Sequence, residues 1–507
     1  MSAQRSIGMR EQRRVAGALR ARLQWLLASY AGRIIVITLC GLAARLALIA
    51  YQPLWRDEAF TAVVVNRPMT QMLDTVRADS APPLAYVVER FVAGLWSGPA
   101  GLRLVPAIAG ACAIPIGAAL ARRIADERGG VVGAAVCAAA PSLVLSAVDA
   151  RMYAIATTLV MAATLALWRA AERPTVQRWV VYAVLTTAAL YTDYFAAIAI
   201  PAQLLATLIL LRAGWRRTIL AATSALSACM LLVPWLLSAT QQLAHTNQGF
   251  WVQPVGIATV GGTIVQFFAG PGIDSWVPFK PVFQGLQGIT MAIEVLAIAG
   301  LVMCRRTLGS EGRSAAWFCT TCGVGAVALL VPVSIWHPVV DGRYASVMWG
   351  PLFAVVGAGL ALVPLRRPLR QMVFGGIALT AVTSLTLALA STHPPSKQAI
   401  ASLQERVTAR DVIDAHPSQY LLFLYYAPPS LLARTRVVQE DVPWFWGTAA
   451  YPPGAIVSSL PPEVAQRRGT VYYVRQPDEG AAVGLPSGYV ARDTQCWTGV
   501  CITAYTR

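Results

Sequence analysis

The sequence contains few charged residues and almost no lysine. Charged residues make up 13% of its 507 residues, whereas 56% are hydrophobic. Soluble globular proteins contain about 25% charged residues, so this composition excludes a water-soluble globular protein. Lysine occurs only as Lys280 and Lys397, and arginine supplies nearly all of the positive charge behind the net charge of +17. The arginines lie in short clusters between apolar runs, which is typical of membrane topology signals rather than of a nucleic-acid-binding surface.

The N-terminal segment lacks the small-residue cleavage site of a secretory signal peptide. Residues 1–31 instead contain a series of arginines: Arg5, Arg10, Arg13, Arg14, Arg20 and Arg22. The sequence therefore predicts a basic N-terminus that stays on the cytoplasmic side. The arginine bias and the abundant alanine indicate a high-GC bacterial genome, so we expect a multi-pass protein of a bacterial plasma membrane.

The hydropathy pattern predicts about eleven transmembrane helices between residues 32 and 394, since a span needs about 20 apolar residues. The apolar runs are 32–52, 102–122, 130–148, 152–168, 178–192, 195–212, 217–238, 286–304, 315–335, 345–364 and 371–391. With the N-terminus inside, every dense arginine cluster falls in a cytoplasmic loop, as the positive-inside rule requires. This topology treats 82–97 as an interfacial helix within a large first outer loop, 53–100, because Glu89 and Arg90 lie in the middle of that short segment.

Two further segments are predicted to lie on the outer side. Residues 239–285 mix aromatic residues with glycine and proline, which suits a loop that dips into the membrane interface and gates lipid entry. Residues 395–507 are polar and contain β-type runs, which predicts a small extracytoplasmic α/β domain. Cys496 and Cys501 flank a four-residue turn in this tail, where a hairpin disulfide would form in an oxidising compartment. The predicted fold class is thus an all-α polytopic membrane protein with a small C-terminal extracytoplasmic α/β domain.

Asp57 and Glu58 follow the first span directly, at a depth where an ionised carboxylate is costly unless it is paired or functional. One interpretation is an acid pair solvated at the headgroups and paired with Arg56 or Arg77. The other is a general base that deprotonates an acceptor hydroxyl. The outer turns hold further polar residues that could join such a site: Asp79, Asp149, Arg151, Asp193, His337, Asp341 and Arg343.

Several motifs on this face resemble those of GT-C glycosyltransferases, particularly the family 39-like, mannosyltransferase-type enzymes that use polyprenyl-phosphate sugars. The segment 54–61, with its tryptophan, acidic pair and aromatic residue, resembles the first-loop motif of the family. The other motifs follow in order at 79–86, 103–109, 149–154, 191–195 and 342–344. The resemblance covers residues 1–390 and implies a GT-C-like transmembrane domain. Many relatives have histidine where this chain has Ala81, which leaves the substrate subgroup open.

The resemblance implies roles for these residues. Asp57 would be the catalytic base, and Glu58 would orient it or the acceptor. Arg151 and Arg343 would clamp the phosphate of a lipid-linked donor, for which guanidinium groups are well suited; ion pairs with Asp149 and Asp341 are the alternatives. The remaining candidates for substrate binding are Arg56, Asp79, Asp149, Tyr153, Asp193, Tyr194, His337 and Tyr344, although tyrosines at this level also occur in ordinary aromatic belts.

The resemblance also sets the expected ligands. A divalent ion needs several oxygen ligands, and the outer acids could converge on one, but the polyprenyl-phosphate-sugar subgroup does without it. We therefore expect no metal and no cofactor. The expected partners are a polyprenyl-phosphate-linked sugar, an acceptor that is a glycolipid, polysaccharide or protein, and membrane lipids.

The sequence favours a membrane glycosyltransferase that moves a sugar to an acceptor hydroxyl on the extracytoplasmic face with inversion. Mannose is the first expectation by family analogy, with arabinofuranose and other pentoses next. The alternative from another class is a transporter or flippase of lipid-linked sugars. Transporters place charges near the midplane and often contain repeats. Here Arg45 and Glu294 are the charges placed well inside the spans and no repeat is visible, which favours the enzyme. A non-catalytic scaffold with the same fold stays open.

Overall fold

The computed structural model describes residues 28–210, 214–245, 251–270, 280–391, 393–460, 469–485 and 487–507. This part of the chain consists of a membrane region of helices and a C-terminal region in which helices pack on a small sheet. Helices of the membrane region are α1 (Tyr30–Leu48), α2 (Arg56–Val65), α3 (Met69–Ala78), α4 (Leu84–Ala93), α5 (Pro99–Ala139), α6 (Pro141–Ala147), α7 (Tyr153–Glu172), α8 (Val176–Thr192), α9 (Ala196–Leu210), α10 (Gly214–Ser238), α11 (Thr240–His245), α12 (Ile257–Ala269), α13 (Lys280–Met303), α14 (Ser310–Thr320), α15 (Ala326–Trp336), α16 (Gly342–Leu362) and α17 (Arg367–Ser391). A π-helical segment, Thr321–Gly325, joins α14 to α15.

Eight of the described helices are long and apolar enough to cross a membrane, counting α14 and α15 as one continuous helix. This confirms a multi-pass membrane protein, whereas the predicted number of about eleven spans was approximate. The predicted runs 178–192 and 195–212 correspond to helices of 17 and 15 residues, respectively, which are short for a span. The runs 102–122 and 130–148 belong to a single 41-residue element, α5, interrupted by non-helical backbone at Ala125 and Asp126.

The boundaries of the predicted run 130–148 were wrong in one respect. The helix ends at Ala139, and a separate short helix, α6, begins at Pro141. Proline cannot donate the backbone hydrogen bond that a continuing helix needs, but it is well tolerated in the first turn of a new one. This break lies just ahead of the turn that carries Asp149 and Arg151.

Arginine-rich loops from different parts of the chain meet at one end of the helical bundle. Arg123 pairs with Glu172 at 2.8 Å, and Arg33 pairs with Glu127 at 3.5 Å. Arg217 donates to the carbonyl oxygen of Ala171 at 2.7 Å. These contacts bring the N-terminal end of α1 and three arginine-containing loops to the same level, as the positive-inside pattern predicts. Arg212, another arginine of this pattern, lies outside the described residues.

The first outer loop forms the short helices α2, α3 and α4. The ten residues of α4 could reach only about 15 Å along the helix axis, so this segment is too short to cross a bilayer. Its predicted placement as a non-spanning helix therefore agrees with its length. The prediction of a loop over 239–285 was wrong in part, since α12 is a 13-residue apolar helix with Phe267 and Phe268 buried. Asp274, Trp276 and Phe279 lie outside the described residues.

The C-terminal region forms a six-stranded mixed sheet with helices against it. The strands are β1 (Val412–Ala415), β2 (Thr435–Val438), β3 (Ile456–Val457), β4 (Val471–Arg475), β5 (Val490–Trp497) and β6 (Val500–Thr506), and their order is β3-β2-β1-β4-β6-β5. Its helices are α18 (Ser396–Arg406), α19 (Pro417–Tyr426) and α20 (Pro429–Leu432). The strands β1 to β4 pair in parallel, and the β5–β6 hairpin adds antiparallel strands. A disulfide links Cys496 and Cys501 at the end of that hairpin.

The C-terminal region packs directly on the first outer loop. The backbone N–H of Leu54 donates to the Tyr426 hydroxyl at 2.7 Å. Arg67 donates to the carbonyl oxygen of Ala450. Gly447, whose φ of 75° places it in the left-handed region, lies against Phe60 and Leu421. The surface between the two regions is therefore built from specific contacts, and it forms one wall of the candidate site.

Candidate active site

The first turn of α2 positions the two predicted acidic residues. Trp55 precedes the helix, and its backbone N–H donates to the Glu58 Oε2 atom at 3.3 Å. A carboxylate in the first turn is favoured because it compensates free backbone N–H groups and the positive end of the helix dipole. Since residues 57 and 58 are about 100° apart around a helix, their side chains point in different directions and have different environments.

Glu58 is completely buried and fully occupied by protein contacts. Its carboxylate accepts two hydrogen bonds from Arg103, each 2.5 Å long, and one from the backbone N–H of Ala150 at 2.9 Å. Burial raises the pKa of Glu58, but the Arg103 guanidinium outweighs it and holds the pKa below the ordinary value. Glu58 is expected from the sequence to orient Asp57 or the acceptor; in the structure its carboxylate is not exposed and lies against Arg103 and the backbone of Ala150.

Asp57 faces an open cavity and lies between two guanidinium groups. Its Oδ1 atom is 2.9 Å from Arg56 Nε, and its Oδ2 atom is 3.6 Å from Arg343 Nη1, with 18% of the side chain exposed. Burial raises the pKa of Asp57, but Arg56, Arg151 and Arg343 together outweigh it and lower the pKa. Arg56 and Arg77 were the expected ion-pair partners of the acidic residues. Asp57 pairs with Arg56 and also with Arg343, whereas Arg77 pairs with Asp74. Asp341 instead accepts from the backbone N–H of residue 343 as an N-cap.

The cavity in front of Asp57 has a volume of about 560 Å³. We call it the charged cavity. Ten of the twelve residues predicted for catalysis or substrate binding line it, with Glu58 and Asp149 as the exceptions: Arg56, Asp57, Asp79, Arg151, Tyr153, Asp193, Tyr194, His337, Arg343 and Tyr344. They come from five separate parts of the chain, and the fold brings them together. No salt bridge forms between Arg151 and Asp149; the Arg151 Nη1 atom donates to the Tyr86 hydroxyl at 3.4 Å.

Aromatic side chains lie against two arginines of the charged cavity. The guanidinium of Arg343 lies 5.0 Å from the Trp55 ring centroid and 5.3 Å from that of Trp251. The guanidinium of Arg56 lies 4.5 Å from the ring of Trp446, which belongs to the C-terminal region. Flat aromatic faces attract cations and also suit contact with sugar rings. Trp251 belongs to an outer segment whose aromatic residues are recognisable in the sequence, whereas no sequence pattern marks Trp446.

A second cavity of about 340 Å³ lies on the other side of Arg56, Tyr153 and Arg343, which line both cavities. We call it the amide cavity, because glutamines line it from several elements: Gln52, Gln266, Gln419 and Gln476. Asp149 also lines it, and its Oδ1 atom accepts from Trp55 Nε1 at 3.0 Å. Burial, reinforced by the charge of Glu58, raises the pKa of Asp149 to about 7.

The other acids of the charged cavity are also shifted towards their protonated forms. Asp193 accepts from the backbone N–H of Phe195 at 2.8 Å, and burial raises its pKa to about 6. Burial likewise raises the pKa of Asp79. In the described part of the chain, no group of three or more His, Cys, Asp or Glu residues has a geometry that could hold a metal ion. The arrangement can therefore bind an anion at its arginines and offer carboxylates to hydroxyl groups.

Two residues that support the site were not singled out from the sequence. Arg103 lies in the first turns of α5 and donates to the carbonyl oxygens of Ile49, Gln52 and Pro53 as well as to Glu58. His393 follows α17, with its Nδ1 atom 2.8 Å from the carbonyl oxygen of Pro53. The position of Arg103 near the start of an apolar run was the available signal for it. No sequence signal marked His393, because its partners Pro53 and Arg103 are 340 and 290 residues away.

Comparisons with known proteins agree with this architecture. The family model described as dolichyl-phosphate-mannose-protein mannosyltransferase matches residues 80–237. ArnT from Cupriavidus metallidurans bound to undecaprenyl phosphate is 15% identical, with a TM-score of 0.57 over 94% of this chain and 98% of that one. The chain has the GT-C fold that it shares with ArnT.

A second ArnT structure supports the same GT-C fold. In the apo state, ArnT from Cupriavidus metallidurans is 14% identical to this chain, with a TM-score of 0.59 over 96% of this chain and 98% of that one. No curated protein sequence matches the chain. At this level of identity the comparison establishes a shared architecture, whereas a reaction depends on the residues that line the cavities.

Proposed function

We propose that this protein is a membrane glycosyltransferase that moves a sugar from a polyprenyl-phosphate carrier to an acceptor hydroxyl. The observation that supports it most directly is the charged cavity, where a carboxylate and several guanidinium groups lie together at the outer end of the helical bundle. A phosphate leaving group needs cations, and an attacking hydroxyl needs a base. The match of residues 80–237 to a mannosyltransferase family and the bound undecaprenyl phosphate in ArnT support the same donor class.

The donor phosphate is proposed to bind at Arg343 and Arg151. Both guanidinium groups line the charged cavity and face Asp57, and charge-assisted hydrogen bonds from arginine to phosphate are among the strongest in proteins. Their positive charge would also stabilise the phosphate as it leaves. His337 is exposed at the edge of the cavity, and Tyr344 lies beside Arg343, so both are proposed as further contacts to the donor.

The chemical step is proposed to be a single in-line displacement with Asp57 as the general base. The acceptor hydroxyl gives its proton to the Asp57 carboxylate while its oxygen forms a bond to the anomeric carbon. The bond between that carbon and the phosphate oxygen breaks, and its electron pair leaves with the lipid phosphate. Because attack and departure occur on opposite faces, the anomeric configuration inverts.

Mannose is proposed as the transferred sugar, with arabinofuranose and other pentoses as alternatives. The support for mannose is the printed description of the matching family. The site is proposed to face the extracytoplasmic side of a bacterial plasma membrane. The support is the position of the charged cavity at the end of the bundle opposite the contacts among Arg33, Arg123 and Arg217 and their partners.

A transporter of lipid-linked sugars is the alternative function, and the distribution of charge argues against it. The carboxylates and arginines proposed to bind substrate line the charged cavity at one end of the bundle. Transport sites are typically near the midplane, in interrupted helices. The buried Arg45 is within a span, but it donates to carbonyl oxygens of Gly41, Cys137 and Ala138 and so closes a helix contact.

The test is the substitution Asp57→Asn in purified full-length protein, assayed with polyprenyl-phosphate mannose and polyprenyl-phosphate pentoses. Loss of a general base should reduce transfer by about 10²- to 10⁴-fold. Asp74→Asn is the matched control, because Asp74 is on the neighbouring helix α3 and 69% exposed. Unchanged transfer by the Asp57 variant would eliminate the proposed base. Movement of lipid-linked sugar across the membrane of vesicles that contain the protein, without consumption of the sugar, would instead support the transporter function.

A further inference from the structure

The amide cavity differs from the charged cavity in the chemistry of its walls. Apart from the three shared residues and Asp149, its polar lining consists mainly of neutral amides and hydroxyls, including Gln266, Ser346 and Gln476. Gln266 is near the end of α12 in the membrane region, whereas Gln476 follows β4 in the C-terminal region. The two sides of the cavity thus belong to different parts of the fold, and the cavity exists only because these parts pack together.

Two of the amides in this lining are free to bind a ligand. Within the part of the chain that the structure describes, the side chains of Gln266 and Gln476 form no hydrogen bond with the protein, and both are partly buried. Gln266 lies against the backbone of Gly342, where any side chain at position 342 would collide with it. An amide offers one acceptor oxygen and two donor N–H groups, so each of these side chains can either accept a hydrogen bond from a hydroxyl group or donate one to it.

The lining suits a neutral, hydroxyl-rich ligand that also has flat apolar faces. Trp55 and Trp349 line the cavity and present the aromatic surfaces that sugar rings pack against. Asp149 adds a carboxylate that accepts hydroxyl hydrogen bonds. A cavity of about 340 Å³ is near the lower end of the range for small-molecule sites, roughly 300–1,000 Å³, which is room for a sugar unit rather than for a folded or extended chain.

The two cavities meet where the reaction would occur. Arg56, Tyr153 and Arg343 line both, and two of these, Arg56 and Arg343, are the partners of Asp57. A donor with its phosphate in the charged cavity and an acceptor in the amide cavity would therefore approach each other at this shared wall, beside Asp57.

We infer that the amide cavity binds the acceptor, and that the acceptor is a carbohydrate held through its neutral hydroxyl groups by Gln266, Gln476 and Asp149. This inference rests on the proposed glycosyltransferase function and narrows its acceptor class. A peptide acceptor would need a groove for an extended backbone, and an anionic acceptor would need cations beyond those that hold the donor. A sugar headgroup on a lipid and a soluble polysaccharide share the chemistry that this cavity recognises.

The variants Gln266→Leu and Gln476→Leu test the inference in full-length protein reconstituted in nanodiscs. The assay uses polyprenyl-phosphate mannose or the pentose donor that wild type consumes, with methyl mannoside and oligomannoside as acceptor probes, and separates transfer to the probe from hydrolysis by water. Loss of one neutral hydrogen bond should lower the ratio of transfer to hydrolysis by about 3- to 10-fold in each variant, mainly through the acceptor KM. Gln398→Leu is the control, because Gln398 is exposed on α18 and lines neither cavity.

The outcomes separate this inference from the proposed function. If wild type consumes none of the donors, the proposed function fails. If wild type transfers sugar but both glutamine variants keep the wild-type ratio, the acceptor binds elsewhere and only this inference fails. A rise in donor KM instead of acceptor KM would assign the cavity to the donor sugar, and a preference for Ser/Thr peptides over saccharides would overturn the acceptor class. Transfer to a lipid-linked and to a soluble carbohydrate should depend on Gln266 and Gln476 in the same way. A direct comparison of a mannoside on a lipid anchor with the free oligomannoside is therefore needed to distinguish these two sources.

Discussion

Asp57 is held by arginines before any substrate binds, and this has a consequence for the residue itself. The same guanidinium groups that lower its pKa are those proposed to bind the donor phosphate. A phosphate that draws Arg343 away removes part of the charge that makes Asp57 a weak base. Donor binding would therefore make Asp57 more basic at the moment when a base is needed.

The substitution Arg343→Gln tests this relation at the level of single residues. It removes a charge-assisted contact to phosphate, so we expect kcat/KM for the donor to fall by about 10- to 100-fold. It also removes one of the cations that lower the pKa of Asp57, so the acidic limb of the pH profile of kcat/KM should move to higher pH. Arg77→Gln, at a partly exposed position on α3, is the control. If donor affinity falls but the acidic limb stays in place, Arg343 does not control the pKa of Asp57.

The raised pKa of Asp149 predicts that the acceptor KM depends on pH. With a pKa of about 7, Asp149 is protonated below neutral pH and ionised above it. An ionised carboxylate accepts hydroxyl hydrogen bonds more strongly, so the acceptor KM should decrease as the pH rises through about 7. Asp149→Asn should abolish this dependence. An acceptor KM that still changes near pH 7 in the variant would assign the titration to another group.

At the scale of elements, the buried pair of Glu58 and Arg103 fixes α2 against α5. Glu58 is not exposed at all and Arg103 is 1% exposed, and Arg103 also binds three carbonyl oxygens at the end of the first span. Removing one partner of such a pair leaves an uncompensated buried charge. The pair therefore fixes the position of the first turn of α2, and with it the position of Asp57.

The substitution Arg103→Leu is expected to destabilise the fold and to reduce activity together. Breaking a buried ion pair costs about 3–5 kcal/mol, whereas an exposed pair contributes about 0–1 kcal/mol. Arg123→Leu, which removes the exposed pair with Glu172, is the matched control. Thermal unfolding in detergent, followed by fluorescence, should show a clear fall in Tm for the first variant and little change for the second. Equal Tm values would show that the pair is not needed for the position of α2.

The element predictions worked where the signal is local. Apolar runs and interrupting arginines located most spans to within a few residues, since hydrophobic length and flanking charge act on each segment separately. The break at Pro141 was missed because the apolar run continues through it. Helix α12 was missed because its glycines and aromatic residues resemble a loop, whereas packing of Phe267 and Phe268 stabilises the helix.

At the scale of the whole molecule, the site depends on how the C-terminal region sits on the first outer loop. Gly447 packs against Phe60 and Leu421 and also lines the charged cavity. A Cβ atom at position 447 would lie 2.8 Å from Phe60 Cδ2, too close for the present packing. The contact leaves no space for a side chain.

Comparing Gly447→Ala with Gly454→Ala isolates this contact. Both glycines have positive φ, 75° and 76°, so both variants carry a similar local strain, but a Cβ at Gly454 would meet nothing within 4 Å. We expect Gly447→Ala alone to lower transfer activity and to increase release of the C-terminal region by limited proteolysis. Equal protease sensitivity and equal activity in the two variants would contradict a functional role for this contact.

The sequence by itself determined that the chain is a multi-pass membrane protein with a small α/β region at its C-terminus. It also pointed to the outer turns, and ten of its candidate residues line one cavity. These features could be predicted because hydropathy, charge bias and short motifs are properties of contiguous segments. Neighbouring residues with similar chemistry, such as Asp57 and Glu58, could not be told apart in this way.

Only the tertiary structure decided that Asp57 faces the charged cavity while Glu58 is buried against Arg103, and that Asp149 faces a second cavity. It also decided that Trp446, Gln476 and Gly447 contribute to the site from the C-terminal region. These assignments depend on contacts between segments that are distant in the sequence, for which neighbouring sequence carries no signal. The physical reason is that burial and charge pairing are set by the complete packing of the chain.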